Sequence, residues 1–227
     1  MKIKVCVAIP PETVDEAIDL IHKADANHAD LIEVRLDNLQ NHDNIAEIPS
    51  CTKKPLIATN KPTKFGGKYS GNEIKRQKIL IEAAKSGFKY IDVDLGTPNQ
   101  TEFINRLHGL GAKTVVSFHD FQRTPSISEL KRIFELEIVA GADICKIVTT
   151  AKHIKDNLKV LKFVAFASKK ADLVCFAMGK LGRPSRFLSP VFGAFFTFAT
   201  LSENKESAKG QLSIKEMQTA YTALRYK

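Results

Sequence analysis

The feature that most constrains the fold is a series of eight short apolar runs that alternate with segments of helical pattern. The runs lie at residues 3–9, 30–36, 55–59, 90–95, 113–119, 143–148, 172–178 and 191–199. Strands that alternate with helices at spacings of roughly 20 to 35 residues are typical of right-handed βα units around a parallel sheet. Eight such units close a (β/α)8 TIM barrel with eight parallel strands, and we predict that fold as a single domain over residues 1–227.

A doubly wound open sheet is the competing architecture. Such sheets usually carry a glycine-rich phosphate turn after the first strand. Here that position reads "AIPPETVDEA", which contains no glycine. The pattern therefore favours the barrel, in which the reacting side chains come from the C-terminal ends of the strands and the loops that follow them.

The composition is that of a soluble globular protein with a basic surface. Lysine and arginine number 34 against 25 acidic residues, which gives a formal net charge of +9. That excess attracts nucleic acid, an anionic membrane surface or a small anionic substrate, but the basic residues are spread along the chain without a dense cluster. We therefore expect a small-molecule substrate, with neither nucleic acid nor a membrane as a partner.

The cysteines and the N-terminus indicate a reducing cytoplasm. Cys6, Cys51, Cys145 and Cys175 form no CxxC pair and predict neither a disulfide framework nor a zinc site. The N-terminal run is too short for a signal-peptide core with a cleavage site, and no apolar run approaches the roughly 20 residues of a membrane span. The histidines show no metal-ligand spacing, so no metal is expected.

Charged side chains lie at the ends of three runs. Alternation in "EVRLD" puts Glu33, Arg35 and Asp37 on one face, which predicts either a polar cavity or a structural ion pair at the barrel mouth. Lys61 follows the third run, where a solvated loop residue is the plain alternative. His119 ends the fifth run in "SFHDF" and is the best general acid–base candidate among the six histidines, although hydrogen-bonded core histidines are common in such places.

A lysine inside an apolar strand is the most unusual residue in the chain. Lys146 lies in "ICKIV" and shares a strand face with Ile144 and Val148. One interpretation pairs its ammonium group with a buried carboxylate such as Glu33 or Asp94. In the other, desolvation and cationic neighbours lower its pKa, so that the neutral amine attacks a carbonyl and forms a Schiff base. The residues alone leave both interpretations open.

Two later segments supply candidates for anion binding. The seventh run leads into "AMGKLGRPSR", a loop with two glycines whose Arg183 and Arg186 suit a carboxylate or a phosphate. Ser207 and Gln211 lie in a polar segment before the last helix. They are candidate hydrogen-bond donors, and the alternative is that the segment is a plain surface loop.

Taken in order, these segments resemble the type I 3-dehydroquinate dehydratases, the Schiff-base enzymes of the shikimate pathway. The resemblance covers nearly the whole chain and runs through "EVRLD", "SFHDF", "CKIVTTA", "FAMGKLGRPSR" and "SAKGQLS". It implies a (β/α)8 barrel that converts 3-dehydroquinate to 3-dehydroshikimate and water for aromatic amino acid biosynthesis. It also implies a homodimer and a reaction that uses no metal or organic cofactor.

The resemblance assigns roles to individual residues. Lys146 matches the lysine that forms an imine with the substrate ketone, and His119 matches the general acid–base. Arg186 matches the arginine that holds the substrate carboxylate. The matches to substrate-binding and loop-closing residues are Glu33, Arg35, Ser207 and Gln211.

Two positions depart from the family pattern. After the third strand the family often has a segment resembling Arg-x-x-x-Glu-Gly-Gly, and here the chain reads "KPTKFGG". Lys61 takes the arginine's place as a candidate substrate contact, with the charge but without the planar fork. Phe65 replaces a glutamate that orients the catalytic histidine in some members, which leaves open what orients His119.

Two other functions fit the same residues. A class I Schiff-base aldolase on a TIM barrel uses the same lysine chemistry to break a carbon–carbon bond. A non-catalytic barrel that binds a small acid would use Lys146 only as a charge.

Overall fold

The computed structural model of the chain describes residues 3–201 and 211–226, in which eight parallel strands alternate with helices. The strands are β1 (Val5–Ile9), β2 (Leu31–Arg35), β3 (Leu56–Thr59), β4 (Tyr90–Asp94), β5 (Lys113–His119), β6 (Ile144–Thr150), β7 (Leu173–Met178) and β8 (Thr197–Ala199). The helices are α1 (Val14–Ala26), α2 (Glu73–Lys85), α3 (Gln100–Gly109), α4 (Ile127–Val139), α5 (Asp156–Ala167), α6 (Arg183–Leu188) and α7 (Ile214–Ala223). The predicted (β/α)8 barrel is confirmed.

The strands form one sheet in the order β7-β6-β5-β4-β3-β2-β1-β8. The backbone N–H of Phe195 donates to the carbonyl of Leu173 at 2.8 Å, so the segment before β8 meets β7 and the barrel is nearly closed. The register places Asp94, Ser117 and Lys146 in one row across β4, β5 and β6. Because paired residues of parallel strands share a face, this register fixes which side chains meet inside the barrel.

Strand β6 shows how the sequence separates the inside of the barrel from the helix layer. Ile144 and Val148 pack in the apolar cluster inside the barrel, and Lys146 lies between them on the same face. Cys145 and Ile147 point the other way and pack against the helices. The alternation that the sequence predicted for this strand is therefore confirmed.

Local sequence signals determine where two of the helices begin. Ser126 caps α4 by accepting from the backbone of Glu129, whose side chain accepts in return from the Ser126 backbone. Ser213 and Glu216 make the same reciprocal pair at the start of α7. Each such cap satisfies two backbone donors that the helix leaves unpaired, and losing a serine cap typically costs about 1 kcal/mol.

The segment from β7 to β8 differs from its prediction. The loop expected around Arg183 and Arg186 is helix α6, which begins with Pro184 in its first turn, a position that suits proline because no backbone donor is needed there. The eighth apolar run was predicted as a strand over residues 191–199, but only Thr197–Ala199 is strand. The first half of this apolar run instead forms the hydrogen-bonded turns that follow α6, where Gly193 has φ +109°.

Among the residues that the structure describes, no helix has both the length and the apolar character needed to span a membrane. All four cysteines are free thiols.

Candidate active site

One cavity opens at the C-terminal ends of the strands, the end at which this fold places its reacting groups. It encloses about 590 Å³ of empty space, part of which is open to solvent. The sequence-predicted residues that line it are Glu33, Arg35, Lys61, His119, Lys146, Arg186 and Gln211. Ser207 lies outside the described residues.

Lys146 projects from β6 into this cavity, and only 5% of the residue is exposed. Its ammonium group donates to Glu33 Oε1 and to Asp92 Oδ2, both at 2.9 Å. The same group lies 4.6 Å from the centroid of the Phe198 ring. Lys146 therefore rests as a charged ammonium group between two carboxylates.

Of the two interpretations that the sequence left open for Lys146, the one with a lowered pKa is wrong for this resting state. Burial does act to lower the pKa, but the charges of Asp92 and Glu33 outweigh it and raise the pKa above the ordinary lysine value. The neighbours in contact with the amine are anionic rather than cationic. The structure thus shows the carboxylate pairing, with Glu33 as expected and with Asp92 rather than Asp94 as the second partner.

A second lysine lies beside the first. Lys61 Nζ donates to Asp92 Oδ1 at 2.8 Å, to Asp94 Oδ1 at 2.6 Å and to Ser117 Oγ at 2.9 Å. These contacts use all three N–H groups of the ammonium. The two carboxylate oxygens of Asp92 therefore bridge Lys61 and Lys146.

Asp92 is the centre of this network, and it was not among the site residues predicted from the sequence. Burial acts to raise the pKa of Asp92, but Lys146 and Lys61 together lower it far below the usual value, so the carboxylate stays ionised. A signal was present in the sequence. Alternation in "YIDVDL" places Asp92 and Asp94 on one strand face, and two carboxylates inside an apolar run need cations nearby.

Arg76 of α2 supports the network and carried no signal of its own in the sequence. It is 1% exposed, and its Nη1 donates to the Asn60 carbonyl at 3.0 Å and to Asp94 Oδ2 at 3.4 Å. Glu73 accepts two further bonds from the same guanidinium at 2.8 Å. Arg76 thereby ties the loop after β3 to the end of β4.

His119 ends β5 at the rim of the cavity and is half-buried. Burial, followed by the positive charges of Lys61 and Lys146, lowers the pKa of His119 well below its usual value, and the charge of Asp92 opposes this only in part. The imidazole is therefore neutral near pH 7. That is the form that accepts a proton.

Two arginines make the cavity attractive to an anion. Arg186 of α6 is 1% exposed, and its guanidinium lies 4.1 Å from the centroid of the Phe176 ring. Arg35 donates to both carboxylate oxygens of Asp37, at 2.8 and 2.7 Å, and Asp37 also accepts from the Lys68 backbone at 2.9 Å. The "EVRLD" segment therefore supplies both of the features predicted for it, a polar cavity wall and an ion pair.

The barrel and the groups at its mouth define an enzyme of the lysine-containing (β/α)8-barrel class, with a buried amine, a neutral imidazole and two guanidinium groups around one cavity. The family model described as type I 3-dehydroquinase matches residues 5–227. The chain belongs to the type I 3-dehydroquinase family.

Individual relatives agree with this assignment. The chain is 37% identical over 194 residues to the 3-dehydroquinate dehydratase of Dehalococcoides mccartyi strain 195, covering 86% of each chain. The crystal structure of 3-dehydroquinate dehydratase from Geobacillus kaustophilus HTA426 matches the fold with a TM-score of 0.91 at 24% identity, over 99% of this chain and 92% of that one. The structure of type I 3-dehydroquinate dehydratase from Clostridium difficile with covalent modified comenic acid matches with a TM-score of 0.88 at 26% identity, over 98% and 92%.

Proposed function

We propose that this chain is a 3-dehydroquinate dehydratase, a hydro-lyase that converts 3-dehydroquinate to 3-dehydroshikimate and water in the shikimate pathway. The observation that carries the proposal is one cavity that contains the buried amine of Lys146, the neutral imidazole of His119 and the guanidinium of Arg186. The names of the relatives support the choice of substrate.

The first proposed step joins the Lys146 amine to the ketone carbon, with loss of water, to form an imine. The ammonium group must first give up a proton, and Glu33 and Asp92 lie within hydrogen-bonding distance to accept it. The same proton then returns to the hydroxyl of the carbinolamine, which leaves as water and restores the charge of the carboxylate. The protonated imine then carries positive charge where the ammonium group carried it. Glu33 and Asp92 therefore stabilise the iminium, which is the electron sink that the reaction needs.

The second proposed step is the elimination, with His119 as its general acid–base. His119 takes a proton from the carbon next to the iminium carbon, and the electrons of that C–H bond move toward the nitrogen to give a neutral enamine. The enamine expels the β-hydroxyl, which takes the proton from His119 and leaves as water. Hydrolysis of the product imine consumes one water and returns the amine of Lys146.

Substrate orientation is assigned to polar groups on the cavity wall. Arg186 lines the cavity and is proposed to bind the substrate carboxylate by paired hydrogen bonds, which would fix the ring for reaction. Glu33 and Arg35 are proposed as further substrate contacts. Gln211, which is 5% exposed and lines the same cavity, is proposed to act with Ser207 in covering the bound substrate.

The proposed chemistry needs no metal or organic cofactor, because the iminium accepts the electrons. On the family resemblance we also propose that the enzyme is a homodimer in the cytoplasm, with neither nucleic acid nor a membrane as a partner. Light scattering of the purified chain measures the dimer mass directly, and a monomer mass would contradict that assignment.

Borohydride reduction during turnover tests the proposed function. Purified protein incubated with 3-dehydroquinate should produce a conjugated enone, seen as a rise in ultraviolet absorption. Borohydride should then trap the substrate on Lys146 as a secondary amine, located by peptide mass spectrometry. Lys61 is the internal control, since it is the other buried lysine that lines the cavity among the described residues. An adduct on Lys61, or none at all, would contradict the assignment, and aldehyde release without an enone would indicate an aldolase.

Lys61 is predicted from the sequence to contact the substrate, whereas its three hydrogen bonds run to Asp92, Asp94 and Ser117. We therefore propose that Lys61 acts through Asp92. Lys61→Met leaves two buried carboxylates without their shared cation, and removing one partner of a buried ion pair costs about 3–5 kcal/mol. We expect a lower denaturant midpoint and a fall in kcat that exceeds any change in KM.

A double variant controls for the stability loss. Adding Asp94→Asn to Lys61→Met removes one of the two carboxylates that lost the Lys61 ammonium group and should recover part of the lost stability. A large rise in KM at unchanged stability would instead indicate that Lys61 contacts the substrate directly.

A further inference from the structure

An aromatic ring, rather than a carboxylate, contacts the imidazole of His119. The rings of His119 and Phe121 are nearly parallel, with 13° between their planes and 5.8 Å between their centroids. In the described part of the chain, no carboxylate lies within hydrogen-bonding distance of this imidazole, and Asp92 acts on it only through its charge. Phe65, four positions after Lys61, is apolar as well and lines the same cavity.

The backbone on either side of Phe121 is fixed, although 48% of the residue is exposed. The N–H of Asp120 donates to the Val148 carbonyl at 2.8 Å, which attaches the loop to β6. Asp120 Oδ1 accepts from the backbone N–H groups of Gln122 and Arg123 at 2.8 and 2.9 Å. The loop therefore presents the Phe121 ring to His119 from an anchored position.

Gly66 meets the outer edge of the same ring. A Cβ atom at Gly66 would lie 2.6 Å from Phe121 Cζ, and its φ of +79° is one that glycine adopts readily. The N–H of Gly66 donates to the Thr63 carbonyl at 3.0 Å, so the turn is closed at this point. The loop after β3 therefore lies so close to the Phe121 ring that a side chain at position 66 would fit only if the ring moved.

The geometry points to Phe121 as a positioning residue for His119, with Gly66 as the surface against which its ring rests. The inference rests on the proposed dehydratase function and extends it by naming what orients the acid–base residue. An offset, near-parallel pair of rings is a favoured arrangement that restricts rotation of both. The phenyl ring does not compete for hydrogen bonds, so both imidazole nitrogens remain available to the substrate.

Phe121 orients His119 without making it more basic. A carboxylate partner would stabilise the imidazolium and raise the pKa of the histidine, whereas a phenyl ring carries no charge. The charged groups with the largest effects on the pKa of His119 are Lys61, Lys146, Asp92 and Arg35, three cations and one anion. In these surroundings the stacked ring holds the imidazole in place and leaves it neutral.

The first test replaces Phe121 with leucine, which keeps apolar bulk but not the flat ring, and compares it with Phe121→Tyr, which keeps the ring. Misplacing a catalytic group lowers rates steeply, so Phe121→Leu should reduce kcat about 10–100-fold while KM changes by less than about threefold. The apparent pKa on the acidic side of the pH profile of kcat/KM should rise toward 6.5, the usual histidine value, because solvent then reaches the imidazole of His119. Phe121→Tyr should keep the wild-type kcat and the wild-type pH profile of kcat/KM.

Gly66→Ala tests the second contact independently. Its methyl group would displace the Phe121 ring, so we expect a similar fall in kcat, and the double variant with Phe121→Leu should be no slower than the leucine variant alone. Gly111→Ala is the matched control, because Gly111 has φ +82° but no atom within 4 Å of an added Cβ. It imposes the backbone strain alone and should leave kcat unchanged.

Two readouts decide the outcome. Borohydride trapping on Lys146 should proceed at the wild-type rate in Phe121→Leu, and the Phe121 ring should shift the NMR signals of the His119 ring protons upfield in the wild type but not in the leucine variant. A wild-type kcat in Phe121→Leu, equal losses of trapping and turnover, or unchanged His119 signals would each overturn the positioning role. The NMR measurement needs no substrate. If the wild type shows the upfield-shifted His119 signals but forms no Lys146 adduct, the proposed function is overturned and the positioning of His119 by Phe121 is not.

Discussion

Replacing Lys146 with alanine should abolish turnover of 3-dehydroquinate, with kcat at least about 10⁴-fold below that of the wild type. The imine cannot form without this amine, and the three N–H groups of Lys61 are held by Asp92, Asp94 and Ser117. The rise in enone absorption measures the loss. Borohydride should trap no substrate on the variant.

The same substitution leaves Glu33 and Asp92 without their shared ammonium group. Loss of one partner of a buried ion pair costs about 3–5 kcal/mol, so the denaturant midpoint should fall although the fold is kept. Lys146→Arg is the matched control, since it keeps a positive charge near both carboxylates but has no nucleophilic amine. It should be as inactive as the alanine variant and closer to the wild type in stability. Turnover by either variant would contradict the nucleophile assignment.

The pH dependence of stability provides a second measurement on Lys146. Its pKa in the folded protein is raised above the ordinary value of 10.5. The lysine therefore stabilises the fold fully below about pH 10.5, and this contribution is lost as the pH rises through the folded-state pKa. The difference in unfolding free energy between the wild type and Lys146→Ala should shrink in that alkaline range and stay constant at neutral pH.

Replacing His119 with alanine should separate imine formation from elimination. The variant retains Lys146 with both of its carboxylates, so borohydride should still trap the substrate. Without the positioned base, kcat should fall about 10²–10⁴-fold, and the substrate imine should accumulate. Mass spectrometry identifies that imine, since its reduced adduct is heavier than the product adduct by one water.

His22→Ala controls for the loss of a histidine, because His22 lies exposed on α1, outside the residues that line the cavity. It should turn over at the wild-type rate. The lowered pKa of His119 means that its base form persists as the pH falls through 6.5, so kcat/KM of the wild type should decline only at lower pH. An alanine variant that eliminates at the wild-type rate would exclude His119 as the base.

The sequence predicted the barrel and much of its site because both depend on local patterns. Strand alternation and the helical period are properties of neighbouring residues, so eight runs with intervening helical segments were sufficient for the fold. The same alternation put Lys146 inside the barrel and Glu33 and Arg35 on one face. A lysine inside an apolar strand was conspicuous by its chemistry alone.

The sequence prediction was wrong for α6 and for the length of β8, because local pattern alone does not set where these elements begin. The apolar run at residues 191–199 has strand-like composition throughout, but its first half is taken up by the turns that follow α6. Tertiary packing, rather than local preference, decided where the strand begins.

The sequence by itself determined the barrel, its polar end and the residues available for chemistry there. Only the tertiary structure decided which of these residues pair, that Asp92 rather than Asp94 joins Glu33 at Lys146, and that the pKa of that lysine is raised rather than lowered. Lys146 and Glu33 are 113 positions apart, and a closing sheet brings them to 2.9 Å. The sign of a pKa shift depends on charges at such distances, which a linear pattern does not contain.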